Sequence, residues 1–517
     1  MESPKVEDTK RDEDDDFNLL LKQQAETERL FGCENPKKLL WGLTWPTMIA
    51  YFADAVYTIA DTVMVGQKSP YIASAVNYAT PLSIYINEAI AMLISLGVNG
   101  HIANLIGQRK FKEAEKSFAA AVQLCFIFGF IYPLIILLSI GKLLPIMGTP
   151  EPLVPMAKRY AYIAIGAGSI CVNLQLTFSN VLAAQGKSLI AGIGLICGTF
   201  CNITIDACVI YAANDGILGS AISLACGNAV VVLVCAPFLL FHLKKSPPIR
   251  LHWCLLLKPQ PAMLKILSYG IGGFFYSFSL AVSLSCYNTL ITKTSKNFDQ
   301  AAAISGCLGA TNVLLWLFFY LSLAVNTAFL SSASYSHGAH LPGRYYQLLK
   351  YTIIWESIIM LSAGVLLTAF AKWLPYIFFA EHDAVSGYYR ETMTQVLYRV
   401  APTQCIVAVT IFAFGAFQTV EANVLTAVVA CMRQLLILVP LSYIIGYTTF
   451  DTWKLLLAYP GSDMISSLLA WILLLAYRKK VYFTKKDRDG QVYNTEPVIV
   501  DHVHVDILSR EVTESST

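Results

Sequence analysis

The chain has 517 residues, 56% of them hydrophobic and 14% charged, with a formal net charge of +3 and a mean hydropathy of +0.56. A soluble domain carries roughly 25% charged residues, so this composition excludes an ordinary water-soluble enzyme, and the small net charge excludes a nucleic-acid binder. Charge is also segregated: residues 1–38 hold 18 of the 71 charged groups, residues 478–517 hold 14, and the 439 residues between them share 39.

In chain order, residues 1–38 read as a disordered cytoplasmic tail, with the run Asp12-Glu13-Asp14-Asp15-Asp16 and no apolar core of a cleavable leader. A helix crossing the ~30 Å hydrocarbon layer needs about 20 apolar residues. Stretches of that size follow at 39–65, 71–105, 117–141, 158–184, 188–212 and 217–242. A basic linker occupies 243–262, and six more stretches lie at 263–292, 299–333, 350–376, 392–418, 423–446 and 455–477. Residues 478–517 form a second polar tail, also read as disordered and cytoplasmic. Short links such as Ala213-Asn214-Asp215-Gly216 make antiparallel neighbours, and none is long enough for a soluble domain. Basic residues favour the inner links, where Arg109, Lys110, Lys112 and Lys116 cluster, which orients both ends to the cytosol. Eleven of the 13 Cys lie in or beside apolar stretches and read as small buried hydrophobes. No HExxH, GxSxG or Cys/His cluster points to an enzyme, and no cofactor is expected.

The chain repeats itself. Ser95-Leu96-Gly97-Val98-Asn99 recurs 227 residues later as Ser322-Leu323-Ala324-Val325-Asn326, and the same offset sets Asp61-Thr62-Val63-Met64 on Asn288-Thr289-Leu290-Ile291. The fold class that follows is an all-α membrane protein: twelve transmembrane helices in two pseudo-symmetric six-helix lobes, 39–242 and 263–477, around a central cavity. Duplicated halves of this kind are the build of secondary transporters.

The halves differ in chemistry. Asp54, Asp61, Glu88 and Asp206 fall deep in first-half spans, whereas Glu356 and Glu421 of the second half lie nearer span ends, where a solvated role is expected. A carboxylate at mid-membrane costs at least about 2.5–3.5 kcal/mol on insertion scales, so each needs water, a partner or a proton. Asp54 and Asp61 are seven residues apart on one helical face. Asn202 and Asp206 stand at i and i+4 of the fifth span, so both project from one side. Such an Asp–Asn–Asp group can share a proton or coordinate Na⁺, and Asp54 and Glu88 are candidate relay groups. Pro46 gives the first span a point of bending. Tyr51, Tyr57, Tyr78 and Tyr85 are candidates for a cavity that takes flat organic cations. Arg433, deep in the eleventh span, is expected to cap loose carbonyls.

In these residues the chain resembles the multidrug and toxic compound extrusion (MATE) family. The signatures are Pro46 with Asp61-Thr62-Val63-Met64-Val65-Gly66, then Ala183-Ala184-Gln185-Gly186-Lys187, Asn202-Ile203-Thr204-Ile205-Asp206 and Gly216-Ile217-Leu218-Gly219-Ser220-Ala221, and finally Arg433-Gln434 with Pro440-Leu441. The resemblance implies V-shaped lobes that alternate access across the membrane, exporting a drug or cation against H⁺ or Na⁺. In the branch resembling DinF proteins the coupling site would be Asp61, Asn202 and Asp206. The seventh-span acid of other branches is absent from Tyr276-Ser277-Phe278-Ser279-Leu280, and Leu224, beside Ser223, replaces a sixth-span Thr. The expected partners are the lipid bilayer and small organic, cationic substrates, with no nucleic acid, for a monomer in the plasma membrane. A lipid-linked-saccharide flippase and an uncoupled channel are the alternatives.

Overall fold

In lipid every backbone polar group must be satisfied within the structure, which leaves the helix as the economical way to cross. A computed structural model describes residues 19, 21–68, 79–146, 149, 154–166, 168–209, 216–241, 247–251, 253–379, 384–494, 498–500 and 503–505, nearly all of them helical. The first span runs Pro36–Lys68, the second Ala79–Gly107, the third Phe111–Ile146, the fifth Ser188–Ala207 and the sixth Gly216–Leu240. The seventh to ninth are Ala262–Thr294, Phe298–Gly338 and Pro342–Ala369; the eleventh and twelfth are Asn423–Thr449 and Thr452–Ala476. The fourth is a bent pair, Val154–Gly166 with Gly168–Ala184, and the tenth another, Ala384–Val400 with Gln404–Thr419. Among the described residues nine helices are long and apolar enough to cross alone, and the bent pairs raise this to eleven. The first span, 33 residues carrying Asp54 and Asp61, completes twelve. An antiparallel ladder, Val498–Val500 on Val503–Val505, lies beyond them.

Spans 1–6 pack on one another and spans 7–12 do the same; the lobes meet along spans 1, 2, 7 and 8. Both ends of the helical region lie at one end of the bundle, here the terminal face. Toward that face a single apolar core crosses between the lobes through Ile94, Val98, Ile266, Phe329 and Leu330. Away from it the cores part into one of Leu82, Ile86 and Tyr160 and another of Tyr287, Ile304 and Leu438. Small residues explain the closure. A Cβ on Gly270 would lie 1.7 Å from the Leu93 carbonyl oxygen, and one on Gly97 would lie 2.2 Å from that of Ile266. Spans 2 and 7 therefore touch backbone to backbone. Outward, Leu138, Phe200 and Leu233 are exposed, as lipid-facing side chains should be.

The two tails are not wholly solvated. Residues 21–33 are helical, and Glu28 is buried with its carboxylate 3.3 Å from Arg109 Nε at the turn between spans 2 and 3. Arg250 of the linker donates to Gln23 at 2.7 Å, and Phe31 stacks on Tyr335 of span 8 at 5.3 Å. The Asn494 N–H donates to Gly32 O at 3.1 Å, while Gly343 and Arg344 at the start of span 9 donate to Gln491 O. The linker too is pinned to the first lobe, with the Ile249 N–H on Gln185 Oε1 at 2.7 Å. Charge count alone hid this, because apolar Leu30 and Phe31 and the Arg109 partner offset the burial of the acid.

Burial outweighs the Arg109 guanidinium and pushes the Glu28 carboxyl up to about 7. The packed helix thus holds that proton more tightly than the released chain does. Its advantage is complete below the ordinary carboxylate range and disappears as pH rises through about 7. Hydrogen exchange of amides 21–33, corrected for intrinsic rates, should quicken between about pH 4.5 and about pH 7, and Glu28→Gln should flatten the dependence. An unchanged pH profile in Glu28→Gln would assign the effect to another group.

Candidate functional site

The first-lobe acids assemble where spans 1, 5 and 6 meet. Asp206, on the last turn of span 5, is fully buried, and the half-buried Asp61 of span 1 stands close enough to interact with it. Two carboxyls can share a hydrogen bond only when a proton lies between them. Among the described residues neither Asp206 oxygen meets an N–H donor or a cationic side chain. Asn202, one turn earlier and also buried, lies directly over Gly227 of span 6, where a Cβ would come within 1.9 Å of Asn202 Oδ1. Tyr57, one turn before Asp61, lies close enough to feel both acids. Its hydroxyl is 3.2 Å from Ser223 Oγ. Ser223, not its neighbour Leu224, is the sixth-span group facing this site.

Asp54 and Glu88 belong elsewhere. Thr199 of span 5 is the hydrogen-bond partner of Asp54. Tyr51 pairs with Thr327 and lies 6.2 Å from the Tyr320 ring, both on span 8, which places it on the lobe boundary. Tyr320 senses both Asp54 and Glu88. Glu88 ends a π-helical turn, Ile84–Glu88, and lines the central cleft. The structure therefore divides the first-half acids into an intralobe pair and an interlobe pair.

Of the three described candidate tyrosines, Tyr51, Tyr57 and Tyr85, none lines the two contiguous cavities of the cleft. Tyr57 is buried inside the first lobe, Tyr85 packs against Tyr132 and Phe278, and Tyr78 lies outside the described residues. The walls come instead from second-lobe aromatics. One cavity opens among Glu88, Tyr276, Trp316, Phe319, Tyr320 and Arg433; the other adds Asn326 and Phe414. Pro46 is buried, the first span runs through it as one helix, and Gly192 of span 5 lies against its carbonyl.

The second lobe is more polar than its sequence suggests. Glu356, expected near a span boundary, is fully buried, with Asn326 donating to it at 3.4 Å. Its helix starts at Pro342, eight residues before the apolar stretch, so Glu356 sits deep in the bundle. Arg433 is not a carbonyl cap: its Nε lies 2.7 Å from Oδ1 of Asp463 in span 12. Thr403 and Gln404 donate to Asp463 Oδ2 at 2.7 and 3.2 Å. Asp463 was not singled out from sequence; the available signal was Arg433 itself, since an intramembrane guanidinium calls for a carboxylate.

Two six-helix lobes enclosing a mid-membrane cleft, with buried carboxylates on either side, make a multi-pass membrane protein with the architecture of secondary transporters. Residues 46–208 match the MatE family model. The chain is 23% identical over 360 residues to the uncharacterized transporter YisQ of Bacillus subtilis, covering 67% of this chain and 75% of YisQ. It is 21% identical over 242 residues to the multidrug export protein MepA of Staphylococcus aureus, covering 46% of this chain and 52% of MepA, about half of that relative. Among solved structures, a MATE in complex with MaL6 superposes with a TM-score of 0.78 at 20% identity, over 88% of this chain and 99% of the other. An outward-facing multidrug resistance MATE transporter of the MOP superfamily also gives 0.78, at 19% identity over 88% and 98%. The chain is thus similar to the MatE family over residues 46–208 and has the fold of solved MATE transporters.

Proposed function

We propose that this protein is a secondary antiporter of the plasma membrane that exports small organic cations against protons, working as a monomer and coupling as in the DinF-like branch. The terminal face is cytosolic, as the basic inner links indicate, so the closed end of the bundle faces the cell and the cleft opens outward. The observation that carries the reading is the Asp61–Asp206 pair: two neighbouring carboxyls inside the first lobe, Asp206 fully buried, that can share one proton. A proton arriving from outside is shared by the pair and removes one of its two negative charges, and the lobes rock with it bound. Loss of the proton to the cytosol restores the charge for the next cycle. Asn202, seated over Gly227, positions the span 5 face against span 6. Exchange of one monovalent cation for one proton moves no net charge. Each pH unit, worth about 1.36 kcal/mol, then supports about a tenfold substrate gradient.

The cleft favours cationic over pyrophosphate cargo, because Arg433 is already neutralised by Asp463 while Glu88 faces the space with its charge uncompensated. In proteoliposomes with an acidic lumen, a fluorescent aromatic cation should accumulate inside and disperse when the pH gradient is collapsed. Accumulation driven by a sodium gradient alone would overturn proton coupling. Flipping of a labelled lipid headgroup without cation transport would overturn the export reading.

A further inference from the structure

We infer that Glu88 is the counter-ion that selects flat aromatic monocations in the central cleft, a role distinct from proton carriage by Asp61 and Asp206; this rests on the export reading above. Two π-helical segments, Ile84–Glu88 in span 2 and Met432–Leu438 in span 11, border this cleft. An extra residue per turn re-aims side chains, and such turns gather at functional sites. One presents Glu88 and the other presents Arg433 and Gln434.

The two charges do not cancel. Arg433 is held 2.7 Å from Asp463, and Tyr276 lies between the arginine and Glu88, sensing both. Among the described residues Glu88 has no ion-pair or hydrogen-bond partner, and the one charged group acting on it is Asp54, of the same sign. Asp54 itself is held by Thr199. The cleft thus has a single uncompensated acid at its surface, one carboxylate for one positive charge.

The walls define the rest of the ligand. Tyr276 and Phe319 stack at 5.4 Å with planes 5° apart, Tyr320 lies 6.1 Å from Phe319, and Phe414 lies 6.1 Å from Tyr276. Parallel rings offer a flat face for an aromatic ligand, and their quadrupoles add cation–π attraction of about 0.5–2 kcal/mol. Gln404 and Gln434 supply neutral polar contacts at the far wall.

The test pairs equilibrium binding of a fluorescent planar monocation to purified full-length protein with pH-driven transport in proteoliposomes, for wild type, Glu88→Gln, Glu88→Asp and Asp61→Asn. Glu88→Gln should raise both Kd and KM at least about tenfold while keeping maximal rate and its pH dependence. Glu88→Asp should recover part of the affinity, which a merely structural role would not allow. Asp61→Asn should lose the pH drive but keep Kd within about threefold of wild type. Unchanged Kd in Glu88→Gln overturns the assignment, as does a fall in maximal rate or a shifted pH profile at constant KM. If wild type binds the cation in a Glu88-dependent way yet shows no pH-driven transport, the export reading fails and the Glu88 site stands.

Discussion

Asp61→Asn should reduce pH-driven cation accumulation to the level of empty liposomes while leaving the fold intact. The side chains are nearly isosteric, so no cavity forms. The change lies in the proton. In the native pair one carboxyl lends its hydrogen to the other and can surrender it; an amide beside Asp206 donates N–H permanently and never titrates. Asp206 is then fixed as an anion with a satisfied hydrogen bond, and thermal stability should stay level or rise. Asp206→Asn should do the same from the other side. Gly227→Ala should give a graded loss, because its new methyl would displace the Asn202 amide seated there. Normal pH-driven accumulation in Asp61→Asn would remove the carboxyl pair from the mechanism.

Gly270→Ala should loosen the terminal face. Its Cβ would fall 1.7 Å from a backbone oxygen, which no rotamer change relieves, so spans 2 and 7 must separate. Overpacking of this kind costs about 1–3 kcal/mol, occasionally more, and here that cost falls on the closed arrangement alone. The population should therefore shift toward the state open at the terminal face by roughly fivefold to 150-fold. A cysteine at Ser334, buried in that interface, reports the change. An impermeant maleimide added at the terminal face should modify Ser334→Cys more than tenfold faster in the Gly270→Ala background, as peptide mass spectrometry would read. Gly97→Ala should act alike. Equal labelling rates would mean that the glycine contact does not hold this face shut.

The apolar spacing and the 227-residue repeat disclosed the spans and the two lobes, because lipid leaves so few ways to cross. The Asp61, Asn202 and Asp206 cluster was legible as well, since each residue sits deep in a span where a lone polar group is costly. What escaped were relations between distant elements. Asp463 lies in a modestly hydrophobic stretch and matters through Arg433, thirty residues earlier. Glu356 looked peripheral because the helix begins in the polar Pro342-Gly343-Arg344 segment, ahead of the apolar count. The tyrosines of spans 1 and 2 looked like a substrate wall, but Tyr57 bonds to Ser223 inside the first lobe and Tyr85 packs between Tyr132 and Phe278 of span 7.

The hydrogen bond from Asn494 to Gly32 means that the polypeptide is a ring in all but covalent linkage. The lobes are tethered twice on the same side, once by the linker and once by this seam. Only one of those tethers can be undone. Any excursion that spreads the lobes on that side must first unzip the seam, so whatever binds, cleaves or modifies the chain ends gains leverage over the rhythm of the whole cycle.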